Sequence, residues 1–343
     1  MKRGFIIFAA ISTIAALVLV GIGVTYGMFR AREEFAPVDV AFTVAPGESA
    51  ASVARRLKQE HVIFSSWFFR VETKLKGSDD ELRPGTYTFR QGSSMSTVID
   101  WLTNGRIQER TITLIEGWGI REMGEYLVVQ GALKNVDEWY AAVGTPPSVG
   151  VTTHAMSFSD FPVISAMTKD TTLEGFLFPD TYRIAADATA KEIARRMLVN
   201  FEFRFPYAEV ERLGKTPYEV VTLASIIERE VRSDEDRKIV ADIFQRRLKE
   251  GMALQADSTV NYVTGKKTPS ISSADRDIDS PWNTYQNRGL PPSPISNPSL
   301  SAIKAVLAPT PNPYVYFLTD AEGQVHYART FSEHVANKER YLR

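Results

Sequence analysis

"FTVAPGESAASVARRL", residues 42–57, reads as a short strand, a glycine turn and a helix, and the chain repeats that unit. "YTFRQGSSMSTVIDWL" follows at residues 87–102 and "ITLIEGWGIREMGEYL" at residues 112–127. Aligned, each copy opens on an apolar residue, a threonine and a second apolar residue, then reaches Gly47, Gly92 or Gly117. Val53, Val98 and Met123 share a later position, and Leu57, Leu102 and Leu127 share another. Alternation predicts a strand, the glycine a turn, and apolar residues at i and i+4 a helix. Ser49 and Ser94 stand where an N-cap would accept backbone N–H bonds. A weaker fourth copy, "YRIAADATAKEIARRM" at residues 182–197, has Asp187 in place of the glycine. The class expected is α+β.

Such small strand–helix units resemble the LysM-type modules that lie along glycan chains; the alternative is a generic β-α element used only to build a fold. Composition narrows the chemistry. Forty basic residues nearly cancel forty-one acidic ones, so no global field points to nucleic acid. The absence of cysteine excludes a disulfide framework, a thiolate nucleophile and a cysteine zinc site. His61, His154, His326 and His334 are scattered without metal-ligand spacing, so neither metal nor cofactor is expected.

Residues 5–29 run without a charge, long enough to cross a bilayer with some tilt. A cleaved signal peptide would carry a shorter apolar region and a clear A-x-A site. Only Lys2 and Arg3 provide charge ahead of the span, and most of the mass follows it. The expected topology is a single N-in anchor with the body outside the cytoplasm. The expected organisation is a tail at 1–4, the anchor at 5–29, a linker at 30–40 and a β-α module at 41–130. An irregular connecting segment at 131–166 and a mixed α+β catalytic domain at 167–343 complete it.

In "TPYEVVTLASIIEREV", residues 216–231, Thr216, Pro217 and Glu219 spell a helix start with a capping box. Val220, Ala224, Ile227 and Val231 form one stripe at 100° per residue, and Glu228 falls inside the apolar arc. Glu230 projects beyond Leu223 and reads as a solvated helix charge. A carboxyl group held against aliphatic neighbours has its charged form disfavoured, which suits a general acid. A buried glutamate neutralised by a base, for instance Arg232, is the alternative.

Two later stretches are dense in polar and aromatic side chains. "LQADSTVNY" carries Gln255, Asp257, Thr259 and Tyr262; "SPWNTYQNRGLPPSPISNPS" carries Trp282, Asn283, Thr284 and Tyr285. Rings with amides and hydroxyls between them suit a groove that stacks on sugars. A loop ordered by its own side chains is the plain alternative.

The combination resembles the endolytic murein transglycosylases of the YceG-like (MltG) type. The resemblance rests on "GTYTF" (85–89), "EGFLFPDTY" (174–182), "LASIIERE" (223–230), "LQADSTV", "NTY", "GLPP", "ISNPS" and "VYFLTDAEGQVHYARTFSEH". Ser258 departs from a frequent proline, and Ser293 and Ser299 from frequent glycines. The resemblance implies an inner-membrane enzyme that cuts the β-1,4 bond between MurNAc and GlcNAc in nascent peptidoglycan strands, leaving 1,6-anhydro ends. It implies Glu228 as the catalytic carboxylate, first acid and then base, and peptidoglycan synthases (penicillin-binding proteins) as partners. Gln255, Asp257, Thr259, Asn283, Tyr285 and Glu174 are the expected substrate-binding residues. Two other readings stay open: a non-catalytic glycan-binding scaffold, and a retaining hydrolase pairing Glu228 with Glu174 or Asp257.

Overall fold

All four strand–helix copies form in the computed structural model, which describes residues 39–105, 109–150, 158, 160–165, 172–266 and 271–342. The expected anchor at 5–29 lies outside the described residues; among the described ones, no helix is long and apolar enough to cross a membrane. The mixed α+β class holds, with short two-stranded sheets among many helices.

Two compact units emerge. One contains the described residues up to Arg110 together with Ala185–Asp187, the other Thr111–Ile184 and the chain from Ala188 onward. In the first, β1 (Asp39–Val44) pairs antiparallel with β2 (Gly85–Arg90), Phe42 opposite Tyr87. Between them run α1 (Ala50–Gln59) and α2 (Ser66–Leu75); α3 (Met95–Asn104) follows β2. The apolar residues that flank the motif threonine, Phe42 and Val44, then Tyr87 and Phe89, all turn inward with Val53, Leu57, Val98 and Leu102. Gly47 and Gly92 adopt φ of +75° and +72°, a left-handed turn open to glycine at no steric cost. Ser49 and Ser94 cap α1 and α3 through the amides of Ser52 and Thr97.

The second unit opens on the third copy. β3 (Glu109–Thr113) leads into α4 (Ile120–Val129), with Gly117 at φ +78° in the turn. α5 (Val136–Val143) and the short α6 (Pro162–Ser165) lie within residues 131–166, so the stretch expected to be irregular contains a helix whose Trp139 is fully buried. β4 (Thr181–Ala185) pairs with β3 and leads to α7 (Ala190–Arg204) and α8 (Tyr207–Arg212). The two strand pairs share their details. Thr43 meets Thr86 at 2.9 Å, and Thr113 meets Thr181 at 3.0 Å. Tyr87 donates its hydroxyl to Arg83 O, and Tyr182 to Phe178 O, each at 2.6 Å.

Then come α9 (Pro217–Glu230), α10 (Asp234–Lys249), α11 (Asp257–Thr264), α12 (Ser273–Arg276) and α13 (Leu300–Leu307). The hairpin of β5 (Tyr316–Thr319) and β6 (Val325–Ala328) and helix α14 (Phe331–Tyr341) close the chain.

Candidate active site

Helix α9 starts as its sequence dictates: Thr216 accepts from Glu219 N–H, Glu219 accepts from Thr216 N–H, and Pro217 sits in the first turn. The expected stripe is buried, but so is every residue from Val220 to Ile227. The extra cover is the segment around residues 292–299. Ile295 N–H donates to Ser225 Oγ at 3.0 Å, and Ser296 Oγ donates to the Ser225 carbonyl at 3.0 Å. A helix wrapped on all sides shows its polar side chains only where the wrapping ends. Here that is the last turn, which carries Glu228 and Glu230.

Glu228 does not meet the apolar neighbours expected of it. Its side chain is 5% exposed, yet both oxygens face donors. Oε1 accepts from Arg237 Nη2 at 2.6 Å. Oε2 accepts from Ser299 N–H at 2.9 Å and from Ser299 Oγ at 2.5 Å. Ser299 is the N-cap of α13, so the carboxylate also sits at the positive end of that helix. The partner base is therefore Arg237, not Arg232. Arg237 is itself only 8% exposed and reaches Asp234 at 3.1 Å. A cation just behind the three acids that open α10 runs against the helix dipole; that misfit was the signal in the sequence for a special role.

The turn at residues 115–118 lies directly over this carboxylate. Gly117 N–H donates to Asn297 O and Asn297 N–H donates to Trp118 O, both at 2.9 Å. Arg229 Nη1 donates to Gly117 O at 3.1 Å. A β-carbon at Gly117 would come within 3.4 Å of Glu228 Cγ. Glu116 thus stands on a fixed turn beside Glu228. Partial desolvation raises its pKa, and the negative charge of Glu228 raises it further.

Glu230 is not a solvated charge. Its Oε1 accepts from Ser258 Oγ at 2.6 Å, and burial, the largest influence, raises its pKa, with Asp257 adding repulsion. Helix α11 covers the flank that a wheel of α9 alone leaves open. Ser258 and Ser299, two of the three departures from the family pattern, thus each place a hydroxyl on one of the two glutamates.

The expected substrate-binding residues divide. Glu174 is 1% exposed; both its oxygens accept from Ile120 N–H at 3.1 Å, and Oε1 also accepts from Asn297 Nδ2 at 3.0 Å. It ties the start of α4 to Asn297 and has no open face for a sugar. Burial pushes its pKa up to about 8. The folded protein then holds a proton that the unfolded chain releases near pH 4.5, so this contribution to stability is full below about pH 4.5. It is lost as pH rises through about 8. Glu174→Gln should flatten the decline of melting temperature across that range, read by thermal unfolding of both proteins at several pH values.

Asn283 and Thr259 are also buried and hold the loops together. The Asn283 amide donates to Arg276 O and Ile278 O, and Thr259 Oγ1 lies 2.9 Å from Thr284 Oγ1. For these two the plainer reading, a loop ordered by its own side chains, applies. Gln255 is exposed with φ +54°, while Asp257 and Tyr285 are half-buried and joined by a 2.6 Å bond from the tyrosine hydroxyl. Asp257 and Tyr285 lie close enough to Glu230 to act on it electrostatically. Arg237, Ser299, Asn297 and Glu116 were missed as members of the site, because segments distant in sequence bring them together.

In this α+β unit an ion-paired carboxylate is closed between a helix N-terminus and a glycine turn, a candidate reaction site. The sequence profile of the YceG-like family matches residues 42–340. The chain belongs to the YceG-like family. It is 30% identical over 339 residues to the endolytic murein transglycosylase of Bacillus subtilis, covering 94% of this chain and 91% of that protein. The endolytic murein transglycosylase of Streptococcus pneumoniae is 29% identical over 353 residues, covering 95% of this chain and 64% of that longer protein. A YceG-like protein from Listeria monocytogenes, solved by crystallography at 2.6 Å, matches with a TM-score of 0.58 at 26% identity. That match spans 88% of this chain and 99% of the other.

Proposed function

We propose that this protein is an endolytic peptidoglycan lytic transglycosylase whose reacting carboxylate is Glu228. The observation that carries the assignment of Glu228 is its seat: a carboxylate on the last turn of α9, held by Arg237 and by the N-terminus of α13, under the turn at 115–118. The reaction breaks the bond between C1 of MurNAc and the oxygen of the next GlcNAc. Glu228 gives its proton to that departing oxygen, and the resulting carboxylate meets the positive charge that develops at C1. The sugar's own C6 hydroxyl then attacks C1, Glu228 takes its proton, and a 1,6-anhydro ring closes. A nucleophile tethered to the reacting sugar has a large effective concentration, so no hydrolytic water is needed.

The rest of the reading completes the setting. The apolar run at 5–29 anchors the chain in the bacterial inner membrane with the catalytic unit outside the cytoplasm. The first unit, built from the first two strand–helix copies, holds nascent strands in the manner of LysM-type modules. Synthases of the elongation machinery supply those strands, and the cut ends their growth. Gln255, Asp257 and Tyr285 are the surface groups offered to the glycan.

Mass spectrometry of strands digested by the full-length protein tests the reaction. The products should carry 1,6-anhydro ends, lighter by one water than hydrolysed reducing ends. Reducing ends would convert the assignment to a hydrolase.

A further inference from the structure

Among its described residues the first unit exposes four large apolar side chains, and all of them fall within residues 64–75: Phe64, Trp67, Phe68 and Leu75. Single exposed apolar residues are ordinary, whereas a contiguous group marks a surface that meets something other than water. The aromatic three are contiguous. Trp67 meets Phe68 edge-on with 5.1 Å between ring centroids, and Phe68 lies 5.9 Å from Phe64. Helix α2 cannot roll to hide them, because its other face holds Phe69 and Thr73 fully buried. Its start is also fixed, by Ser65 accepting from Phe68 N–H. At 100° per residue, Trp67, Val71 and Leu75 then form one stripe, with Phe68 on one edge and the exposed Arg70 and Lys74 on the other.

The occupant follows from where the chain enters this unit. Asp39, at the start of β1, pairs with Arg90, at the end of β2. Just after β2, Gln91 Nε2 donates to Glu60 O at 3.3 Å and Gly92 N–H donates to His61 O at 3.0 Å. The chain therefore enters beside the junction of α1 and α2, and Phe64, Trp67 and Phe68 come directly after that junction. The apolar run ends at Phe29, ten residues ahead of Asp39. Ten residues at full extension reach at most about 35 Å. A surface tethered this close to a bilayer meets it at high effective concentration, so a small patch suffices. The side chains fit as well. Aromatic rings favour the bilayer interface, and Arg70 and Lys74 can lay their stems along the stripe with their charges in water. Asp79, Asp80 and Glu81 follow the helix, so the surface is apolar with mixed charge, not a basic patch that reads anionic lipid.

Resting on the membrane-anchor reading above, we infer that the face of α2 carrying Trp67, Phe68 and Leu75 docks on the phospholipid bilayer that residues 5–29 span. The rings of Phe64, Trp67 and Phe68 enter at headgroup level, and α2 lies along the interface. Docking by this face confines the first unit to the membrane surface.

The chain has no cysteine, so one introduced thiol can report on one position. Full-length protein carrying Phe68→Cys, labelled with a nitrobenzoxadiazole fluorophore, is reconstituted into phosphatidylcholine vesicles with and without nitroxide-bearing lipid. A reference protein carries the label at Asn104→Cys, exposed on the last residue of α3. That residue lies about 14 Å along the helix from Met95, which follows the entry end. Nitroxide lipid should quench the label at 68 several-fold more than the label at 104. Adding Trp67→Glu and Leu75→Glu, both at exposed positions outside the core, should bring quenching at 68 down to the level at 104. Trp67→Tyr should preserve it. Equal quenching at 68 and 104, or quenching at 68 that the two glutamates leave unchanged, would overturn the inference. So would a label at 68 that responds to added glycan strands and not to nitroxide lipid, which would give the face to the glycan. Extraction with alkaline carbonate reads the anchor separately. Protein released by carbonate would retire the anchor, while quenching at 68 before extraction would still support the docking face. Protein retained in the vesicles with no contrast between 68 and 104 would keep the anchor and overturn the docking.

Discussion

Glu228→Gln should reduce strand cleavage by about 10² to 10⁴ or more, since one substitution removes both the acid for the leaving oxygen and the base for the C6 hydroxyl. The amide is close to isosteric, but it mismatches the pocket. Arg237, Ser299 N–H and Ser299 Oγ are all donors to the carboxylate, and one end of the amide is a donor as well. The buried Arg237 loses a counter-ion and keeps only Asp234. A stability loss of about 1 to 3 kcal/mol should accompany the loss of rate, as for a buried hydrogen-bonding group left unsatisfied. The two effects separate when the rate is measured below the variant's own unfolding range and binding to isolated sacculi is measured beside it. A folded variant that binds and does not cut supports the assignment. Cleavage within a few-fold of wild type would remove Glu228 from the reaction, and a wild type that binds sacculi without cutting nascent strands would favour the scaffold reading.

Much of the fold was legible because it depends on short-range patterns. The apolar–threonine–apolar triplets, the glycines and the i, i+4 pairs each specify a local shape; three copies carry all of them, and the fourth forms the same unit with Arg183 and Asp187 in place of the threonine and glycine. The capping serines at Ser49 and Ser94 and the box at Thr216 also work through neighbours three residues away. The site was only half legible for the same reason. A wheel drawn on α9 places Glu228 toward the interior, but it cannot report that Ser299, seventy-one residues later, supplies two donors there. Nor can it report that Ser258 covers Glu230. The apolar arc predicted a dry carboxyl group; the fold instead fills its polar end with a helix N-terminus and an arginine. Polar density around residues 255–285 was read as a surface for sugar, but Asn283 and Thr259 spend their hydrogen bonds on loop closure. Composition reveals that polar groups are present, not whether they face water.

Gly175→Ala should be the most damaging single methyl group in the second unit, lowering stability by about 2 to 4 kcal/mol through strain and overpacking together. Gly175 has φ +91°, where an L side chain is strained whatever the space. Space is also absent. A β-carbon there would lie 2.5 Å from both Cβ and Cγ of Pro294 and 2.8 Å from Val221 Cγ1. None of these is the end of a flexible side chain, so the segment from Pro294 or helix α9 must move. Neither moves alone. Leu177 N–H donates to Asn297 Oδ1 at 2.9 Å, and Phe176 stacks on Tyr218 and meets Phe201 edge-on. Asn297 in turn fixes the turn that carries Glu116, and Ser299 lies two residues further on, on Glu228. Gly214→Ala provides the control, with a similar positive φ of +65° but nothing within 4 Å of the added carbon. It should cost only about 1 kcal/mol, the strain without the collision. Urea unfolding of both variants should show a lower midpoint for Gly175→Ala at an unchanged slope. Equal midpoints would show that the contact between Gly175 and Pro294 is slack, and that the polar seat of Glu228 does not depend on it.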